Sequence, residues 1–418
     1  MHIGMVLASN RAFPPDIRVE KEALALSQAG HRVTILSQRI PGDSAEYEEL
    51  SGRKVYVKRV MIKRNGTLDT IRSVVCLIES GWLEHLDAFI HQSSIDVFHV
   101  HDFKMVPTVL YVAKRLNVPV VADLHENIPA AFVARRSDFG VKERIKHTIL
   151  RNYRYWRWQE ARKLKQCKRV IVVVPEAAER LLRYGIEREK VIIVSNTEDE
   201  TTFSYRVEDA ERSILDRYKN YWMVSYIGGI GPHRGLDTLL AAVPMASGRI
   251  RNLKLAIVGA RDQDSVWLKA RIRKLRIEPF VDIIDWQPMQ RARAYLVASR
   301  ACLIPHNDFE HTQTTVPHKL FQAMICERPV LVSSVRPLKR IVEESNAGFV
   351  FRANDSADLA EKLVEMFTHP DQMVKLGKNG RTAALGKYAW RNDAGRLITM
   401  YQELEACIER SIHSEKRG

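Results

Sequence analysis

The sequence predicts an α/β fold of two doubly wound, parallel-sheet domains, on three observations. Residues 1–37 read as strand, helix, strand, the unit that opens such a sheet. A polar, irregular segment then separates this series from a second one, which begins with a strand at Trp222–Ile227 and breaks into a glycine-rich turn before a helix. The chain, at 418 residues, is long enough for two domains of ordinary size. The expected organisation is an N-terminal domain over 1–197, a linker over 198–215, a C-terminal domain over 216–388 and a closing helical segment over 389–418.

Met1–Ala8 is apolar and reads as the first strand rather than a signal peptide, lacking a basic leader and a cleavage site. Pro14 and Pro15 impose an extended loop. Asp16 can cap a helix that runs to Ala29 with apolar residues at helical spacing, and Gly30 ends it before the strand His31–Ser37. No GxGxxG follows the first strand, so a dinucleotide fingerprint is absent. Val55–Ile62 reads as a strand with one wet face, followed by a helical pattern over 68–93. Asp96–His101 is a buried strand ending in His101-Asp102; Phe103–Leu116 is helical; Asn117–Asp123 is a strand ending in Leu124-His125-Glu126. Two strands thus deliver a histidine and a carboxylate at their carboxyl ends, where the functional groups of such sheets collect.

Val141–Gln166 predicts one helix, with Ile145, Ile149, Tyr153 and Trp156 along one face. Residues 135–169 hold 13 Lys/Arg against 3 Asp/Glu, while all of 1–195 holds 32 against 22. One short segment therefore accounts for the basic excess of the whole N-terminal half. Two readings fit it: a core-packing helix with a solvated basic face, or an interfacial surface for anionic lipid headgroups that combines aromatic and basic side chains. Nucleic acid would suit the charge, but no nucleic-acid motif accompanies it. Arg169–Val174, Glu176–Tyr184 and Val191–Ser195 close the first series as strand, helix and strand.

In the second series Gly228 and Gly229 let the backbone approach a ligand, and Arg234 and Gly235 precede a helix over Leu236–Met245, together an anion cradle. Strands follow at Leu253–Gly259 and Val281–Ile284 around a helix at Ser265–Leu275, and another at Ala301–Pro305. Asp262-Gln263-Asp264 is a DxD at a helix start, where capping is the expected role. Thr314–Ser333 reads as loop, helix from Pro317 to Ile325, turn and buried strand, with Thr315 or Thr314 able to cap. His318 and Lys319 sit at the positive end of that helix, and Gln322 lies three residues on. Such a helix start suits a ligand carrying both phosphate and hydroxyl groups. A strand at Gly348–Phe351, a helix at Ser356–Phe367 and helices from Pro370 to Arg410 complete the chain.

The apolar fraction of 45% and charged fraction of 28% are those of a soluble globular protein, and no apolar run is long enough to span a bilayer. The five cysteines are scattered without ligand spacing, which predicts free thiols in a reducing compartment and no structural zinc.

Taken together, FPPDIRVEKEALALSQAGHRVTIL, DVFHVHD, ADLHENIP, VIIVSN, YIGGIGPHRGLDTLLAA, LKLAIVG and PHKLFQAMICERPVLVSS resemble the retaining glycosyltransferases of family four, in the family's order and over nearly the whole chain. The resemblance implies the GT-B fold, two Rossmann-like domains facing across a cleft, with the helix over 389–418 crossing back to the N-terminal domain. It implies transfer of a sugar from a nucleotide diphospho-sugar to a hydroxyl, with retention, without a catalytic metal and with no cofactor beyond the donor substrate. Arg234 and Lys319 match the family's diphosphate-binding cations and Gly228 and Gly229 its phosphate loop, while His125 matches the histidine that orients the donor sugar. Asp16, Arg18, His101 and Glu126 fall on the acceptor or cleft side. A cytoplasmic protein, peripheral at the inner face of the membrane through 135–169, is the matching expectation for location.

The sequence departs from the family at the two glutamates that contact sugar and ribose, where Thr314 and Gln322 stand; Thr315 adjoins the first. Glutamine can still hydrogen-bond hydroxyls but is neutral, and threonine cannot accept as a carboxylate does. Two other readings follow: a nucleotide-sugar epimerase, which would need the missing carboxylates, and a catalytically degenerate nucleotide-sugar-binding subunit that scaffolds a glycan-biosynthesis complex.

Overall fold

The structure is a computed structural model, and it describes all residues except 8–12, 15, 41–45, 51–53, 63–65, 136–139, 202, 204–210 and 416–418. The chain divides into two compact units, one of Met1–Ser195 with Arg391–Gly418, the other of Asn196–Trp390. Each is an α/β unit with its own sheet.

In the first unit the strands are β1 (His2–Leu7), β2 (Arg32–Gln38), β3 (Tyr47–Leu50), β4 (Val55–Val60), β5 (Val97–His101), β6 (Val120–Leu124), β7 (Arg169–Val172) and β8 (Val191–Ile193). Among the described residues their order is β3-β4-β2-β1-β5-β6-β7-β8. Only β3 runs antiparallel, on the edge against β4. The central strands are apolar because both faces are covered by helices. The order reverses between β1 and β5, so the crevice at the carboxyl ends of β1, β5 and β6 is the ligand-binding place of such a sheet.

The second unit orders β9 (Trp222–Ile227), β10 (Leu253–Ala260), β11 (Val281–Asp285), β12 (Ala301–Ile304), β13 (Val330–Ser333) and β14 (Gly348–Phe351) as β11-β10-β9-β12-β13-β14, all parallel. Its switch point lies between β9 and β12. Gly235, at φ 71°, occupies the left-handed region, and a Cβ there would stand 1.6 Å from the Pro305 carbonyl oxygen, which brings the loop after β9 against the end of β12.

Several elements differ from the sequence expectation. The pattern over 68–93 is two helices, Gly66–Val75 and Leu83–Ser93, parted near Leu77, whose φ is 55°. The single helix expected over 141–166 is also two, Val141–Leu150 and Tyr153–Leu164, because Asn152 caps a new start by accepting from the Tyr155 N–H at 3.1 Å. Ile145 and Ile149 are 58% and 70% exposed, so the stripe is not one continuous core face, although Trp156 packs edge-on against Phe132 and Phe103. The buried face of the second helix is Gln159, Glu160 and Leu164, held by a two-point ion pair of Glu160 with Arg180 at 2.6 and 3.1 Å. The segment read as linker ends in a helix, Arg212–Tyr218, and begins with the buried Glu198; part of it lies outside the described residues. Ala8 and Pro15 also lie outside them. Among the described residues, no helix is long and apolar enough to cross a membrane.

Candidate functional site

The first unit gathers its polar chemistry on Asp123, at the end of β6. Its carboxylate accepts from Arg18 Nε at 3.0 Å and Nη2 at 2.7 Å, and lies 3.2 Å from His101 Nδ1 and 2.8 Å from His125 Nε2. His101 Nδ1 and His125 Nε2 are themselves 3.1 Å apart. Burial works to raise the Asp123 pKa, but Arg18 and His125 hold it well below the usual carboxylate range. Burial likewise opposes the His125 charge, and Asp123 and Asp102 overcome it, raising this imidazole to about 9. His101 goes the other way, lowered by burial and by His99. The pair therefore holds a cationic His125 and a neutral His101 around one carboxylate. The Asp123 and His101 side chains are wholly buried, whereas that of His125 keeps 16% exposure. His125 is the part of this network that a ligand can touch.

Asp16 performs the capping expected of it, accepting from the N–H groups of Arg18 and Val19 at 3.1 and 3.2 Å. Arg18 lies in the helix Ile17–Gln28 that Asp16 caps and is buried, between Asp123 and Glu22 and donating to the Val194 carbonyl. It positions the network rather than facing a ligand. Glu126 is partly exposed and lies 3.6 Å from Arg135. Asp102, after β5, is held at φ 66°, a strained conformation of the kind that clusters at functional sites. Glu22, His99, His101 and Asp123 bring potential metal-ligand atoms within 4.8 Å of one another. Arg18 already lies 2.9 Å from Glu22 and 2.7 Å from Asp123, so a guanidinium occupies the position from which an ion would draw on both carboxylates.

The second unit builds a cationic cradle at its own switch point. Gly228, at φ 127°, follows β9, and a Cβ there would stand 3.2 Å from Lys319 Nζ. Tyr226 fixes the loop by donating its hydroxyl to the Gly229 carbonyl at 2.6 Å. Arg234 ends the short turn Pro232–Arg234, and its Nη1 donates to His306 Nε2 at 3.2 Å. That contact makes Nε2 an acceptor, so His306 is neutral with its proton on Nδ1; burial and Arg234 lower its pKa well below the ordinary value. Lys319 is 8% exposed, and its Nζ has no hydrogen-bond partner among the described residues. Burial, with Arg234 adding repulsion, lowers its pKa well below that of a solvated lysine. Two cations thus converge on the glycine loop with no carboxylate hydrogen-bonded to Lys319.

The helix carrying Lys319 is His318–Ile325, with Pro317 at its N-cap position and no side-chain cap. Neither Thr314 nor Thr315 caps it: the Thr314 hydroxyl donates to the carbonyls of Glu310 and His311, and Thr315 closes the short turn Thr312–Thr314. Gln322 donates through Nε2 to Glu198 Oε2 at 2.7 Å, with Met289 Sδ 3.9 Å away. Sequence reading missed Glu198, Tyr226, His306 and Met289. The position of His306 two residues beyond the end of β12, the strand beside the switch point, is the signal that could have found it. In the DxD segment, Asp264 accepts from the Arg261 N–H at 3.2 Å, the capping role expected.

Comparison with known proteins accords with this architecture. The sequence model described as Glycosyltransferase Family 4 matches residues 17–200, and that of Glycosyl transferases group 1 matches 207–383. A phosphatidyl-myo-inositol mannosyltransferase of Mycolicibacterium smegmatis is 23% identical over 411 residues, 96% of this chain and 94% of that protein. Among solved structures, sucrose-phosphate synthase from Thermosynechococcus elongatus superposes with a TM-score of 0.77 at 17% identity, over 97% of this chain and 99% of its own. HepE from Anabaena, in complex with UDP-glucose, gives 0.72 at 13% identity, over 96% and 100%. These two likenesses bear on the fold, which is GT-B.

Proposed function

This chain belongs to glycosyltransferase family 4, and from that premise we propose that it moves a sugar from a nucleotide diphospho-sugar to a hydroxyl of a glycan, polysaccharide or lipid-linked acceptor, with retention at the anomeric carbon. The observation that carries the reading is Lys319. A buried ammonium without a hydrogen-bond partner among the described residues, beside Arg234 and a glycine loop, is costly until an anion of matching charge lies against it. In the proposed reaction the bond from the anomeric carbon to the diphosphate oxygen breaks, a bond to the acceptor oxygen forms on the same face, and the acceptor hydroxyl's proton passes to the departing diphosphate. Charge grows on the departing diphosphate, and Arg234 and Lys319 meet it, a role that dispenses with a metal ion. We assign Gly228 and Gly229 to close backbone approach and His125 to orienting the transferred sugar. No cofactor beyond the donor is invoked.

The test is thermal stabilisation by a panel of nucleoside diphosphates and nucleotide sugars, followed by release of nucleoside diphosphate when acceptor is added. One base should stabilise the wild-type chain, Arg234→Ala and Lys319→Ala should abolish the shift, and turnover should fall by about 100-fold or more. No shift with any nucleotide overturns the reading. Binding without release in the presence of acceptors would favour the second reading, a nucleotide-sugar-binding subunit. The occupied hydroxyl of Thr314, turned to backbone carbonyls, is what supports that second reading.

A membrane-associated acceptor is part of the proposal. Ile145, Ile149 and Trp158 are exposed on a segment rich in arginine, and Arg162 lies 5.3 Å from the Trp158 ring. Exposed apolar residues interleaved with cations suit an anionic lipid surface, which supports the proposed cytoplasmic location at the inner face of the membrane. Co-sedimentation with vesicles containing phosphatidylglycerol should fall when Arg154, Arg157 and Arg162 are neutralised together; unchanged binding would remove the membrane from the proposal.

A further inference from the structure

We propose that His306 is a positioning residue for the transfer: its ring holds the Arg234 guanidinium in place for the diphosphate while leaving the positive charge whole. The inference rests on the donor reading above. Arg234 carries a long, rotamer-rich side chain and is only half-buried, and Lys319 repels it from within the same cradle. Repulsion and rotamer entropy both favour a guanidinium turned out to solvent. Its Nη1 instead donates to His306 Nε2 at 3.2 Å, and His306, at 1% exposure, is a fixed point in the second unit.

The backbone around His306 is anchored to the turn that carries Arg234. Asn307 donates its N–H to the His233 carbonyl at 3.1 Å and its Nδ2 to the Pro232 carbonyl at 2.7 Å, while Thr312 Oγ1 donates to the Asn307 carbonyl at 2.6 Å. On the other side of His306 the Pro305 carbonyl lies against Gly235. The His233 ring packs edge-on to that of His306, with centroids 6.4 Å apart. Turn and histidine are thus tied together at four successive residues, 232 to 235. The chemistry of the acceptor matters as much as its place. A carboxylate would hold Arg234 more tightly, but it would neutralise the cation and compete with the diphosphate for it. An imidazole accepting at Nε2 is uncharged and takes up one of the five N–H donors of the guanidinium. Among the described residues, Arg234 pairs with no carboxylate.

The test is a double-mutant cycle on binding, with UDP, GDP, ADP and inorganic diphosphate as probes. His306→Leu removes the acceptor, whereas His306→Gln keeps one, its amide oxygen reaching about as far as Nε2. His306→Leu should weaken inorganic diphosphate and the preferred nucleotide alike by about 10-fold, the loss expected for a hydrogen bond to a charged group. His306→Gln should rescue both to within about 3-fold of wild type, which also guards against a folding defect in the leucine variant. In Arg234→Lys, whose ammonium lacks the planar fork, adding His306→Leu should cost less than about 3-fold, because His306 acts through the guanidinium. Unchanged binding in His306→Leu, failure of the rescue, or equal weakening in both backgrounds would overturn the assignment. Long-range proton–nitrogen correlation spectra of the ligand-free protein give a readout independent of binding. The imidazole signal missing from His306→Gln should show a bare Nε2 and a protonated Nδ1, and a proton on Nε2 would overturn the proposal. If no probe binds the wild type, the donor reading fails and this inference with it; if probes bind and the cycle is additive, the inference fails alone.

Discussion

Lys319 Nζ lies 3.8 Å from the centre of the Tyr226 ring. The ring face is a partial substitute for an anion, worth about 0.5–2 kcal/mol to a cation. It does not replace the hydrogen bonds that a buried ammonium loses to desolvation, and the Lys319 pKa is lowered accordingly. Lys319→Met should therefore stabilise the ligand-free protein by on the order of 1–3 kcal/mol while abolishing nucleotide-induced stabilisation. Thermal melts with and without nucleoside diphosphate test both halves. A variant that loses ligand-free stability would show that Lys319 serves the fold rather than an anion.

The same lysine makes binding proton-linked. Its pKa is depressed in the free protein, and a bound diphosphate would raise it, so binding takes up a proton in the window between the two values. Affinity should hold at lower pH and begin to fall at a pH well under the ordinary lysine value of 10.5. Calorimetry in buffers of different ionisation enthalpy should show net uptake, and Arg234→Lys, which keeps the charge, should still show it. Absence of any buffer dependence across the window would disprove the linkage.

Gly235 joins the cradle to the sheet. Alanine at this position would carry the left-handed backbone penalty, and its Cβ would overlap the Pro305 carbonyl oxygen. Gly235→Ala should cost at least about 1–3 kcal/mol and weaken nucleotide binding more than a distant change of equal stability cost. A chemical-denaturation series on the variant measures the first, and its dissociation constant for the nucleotide the second.

What sequence alone made legible follows from range. Apolar runs such as Val120–Ala122 and Val330–Val332 are local, and they located the central strands. His101 and His125 were visible because each stands at a strand end, a feature of local order. The edge strand Tyr47–Leu50 was not, because Tyr-Glu-Glu-Leu has neither an apolar run nor alternation and takes its identity from pairing with β4. The pairing of Arg18 was hidden for the same reason: its partner Asp123 is 105 residues away, and nothing near Arg18 announces it. Glu198 was hidden by its polar neighbours, since its pairing with Gln322 spans 124 residues. The helix breaks at Leu77 and Asn152 fell inside continuous helical periodicity, where a left-handed residue or a cap outweighs the pattern.

The imidazoles of His101 and His125 should titrate on opposite sides of their ordinary value. His125, with a folded-state pKa of about 9, contributes stability that is complete below the unfolded value of 6.5 and is lost as pH rises through 9. His101, lowered in the fold, destabilises as pH falls below 6.5, because the unfolded chain then binds a proton that the folded chain refuses. Asp123, also lowered, adds stability above the unfolded value of 3.8 that disappears in acid. Between these windows the first unit should be most stable near pH 6–7. Nuclear magnetic resonance on ring-labelled histidine should show one resonance titrating near 9 and another still neutral well below 6.5. Asp123→Asn removes the shared carboxylate and leaves Arg18 and His125 facing each other without it. Loss of one partner from a buried ion pair costs about 3–5 kcal/mol, and the high-pH histidine titration should return toward 6.5. If His125 still titrates near 9 in Asp123→Asn, then Asp102 rather than Asp123 sets its charge.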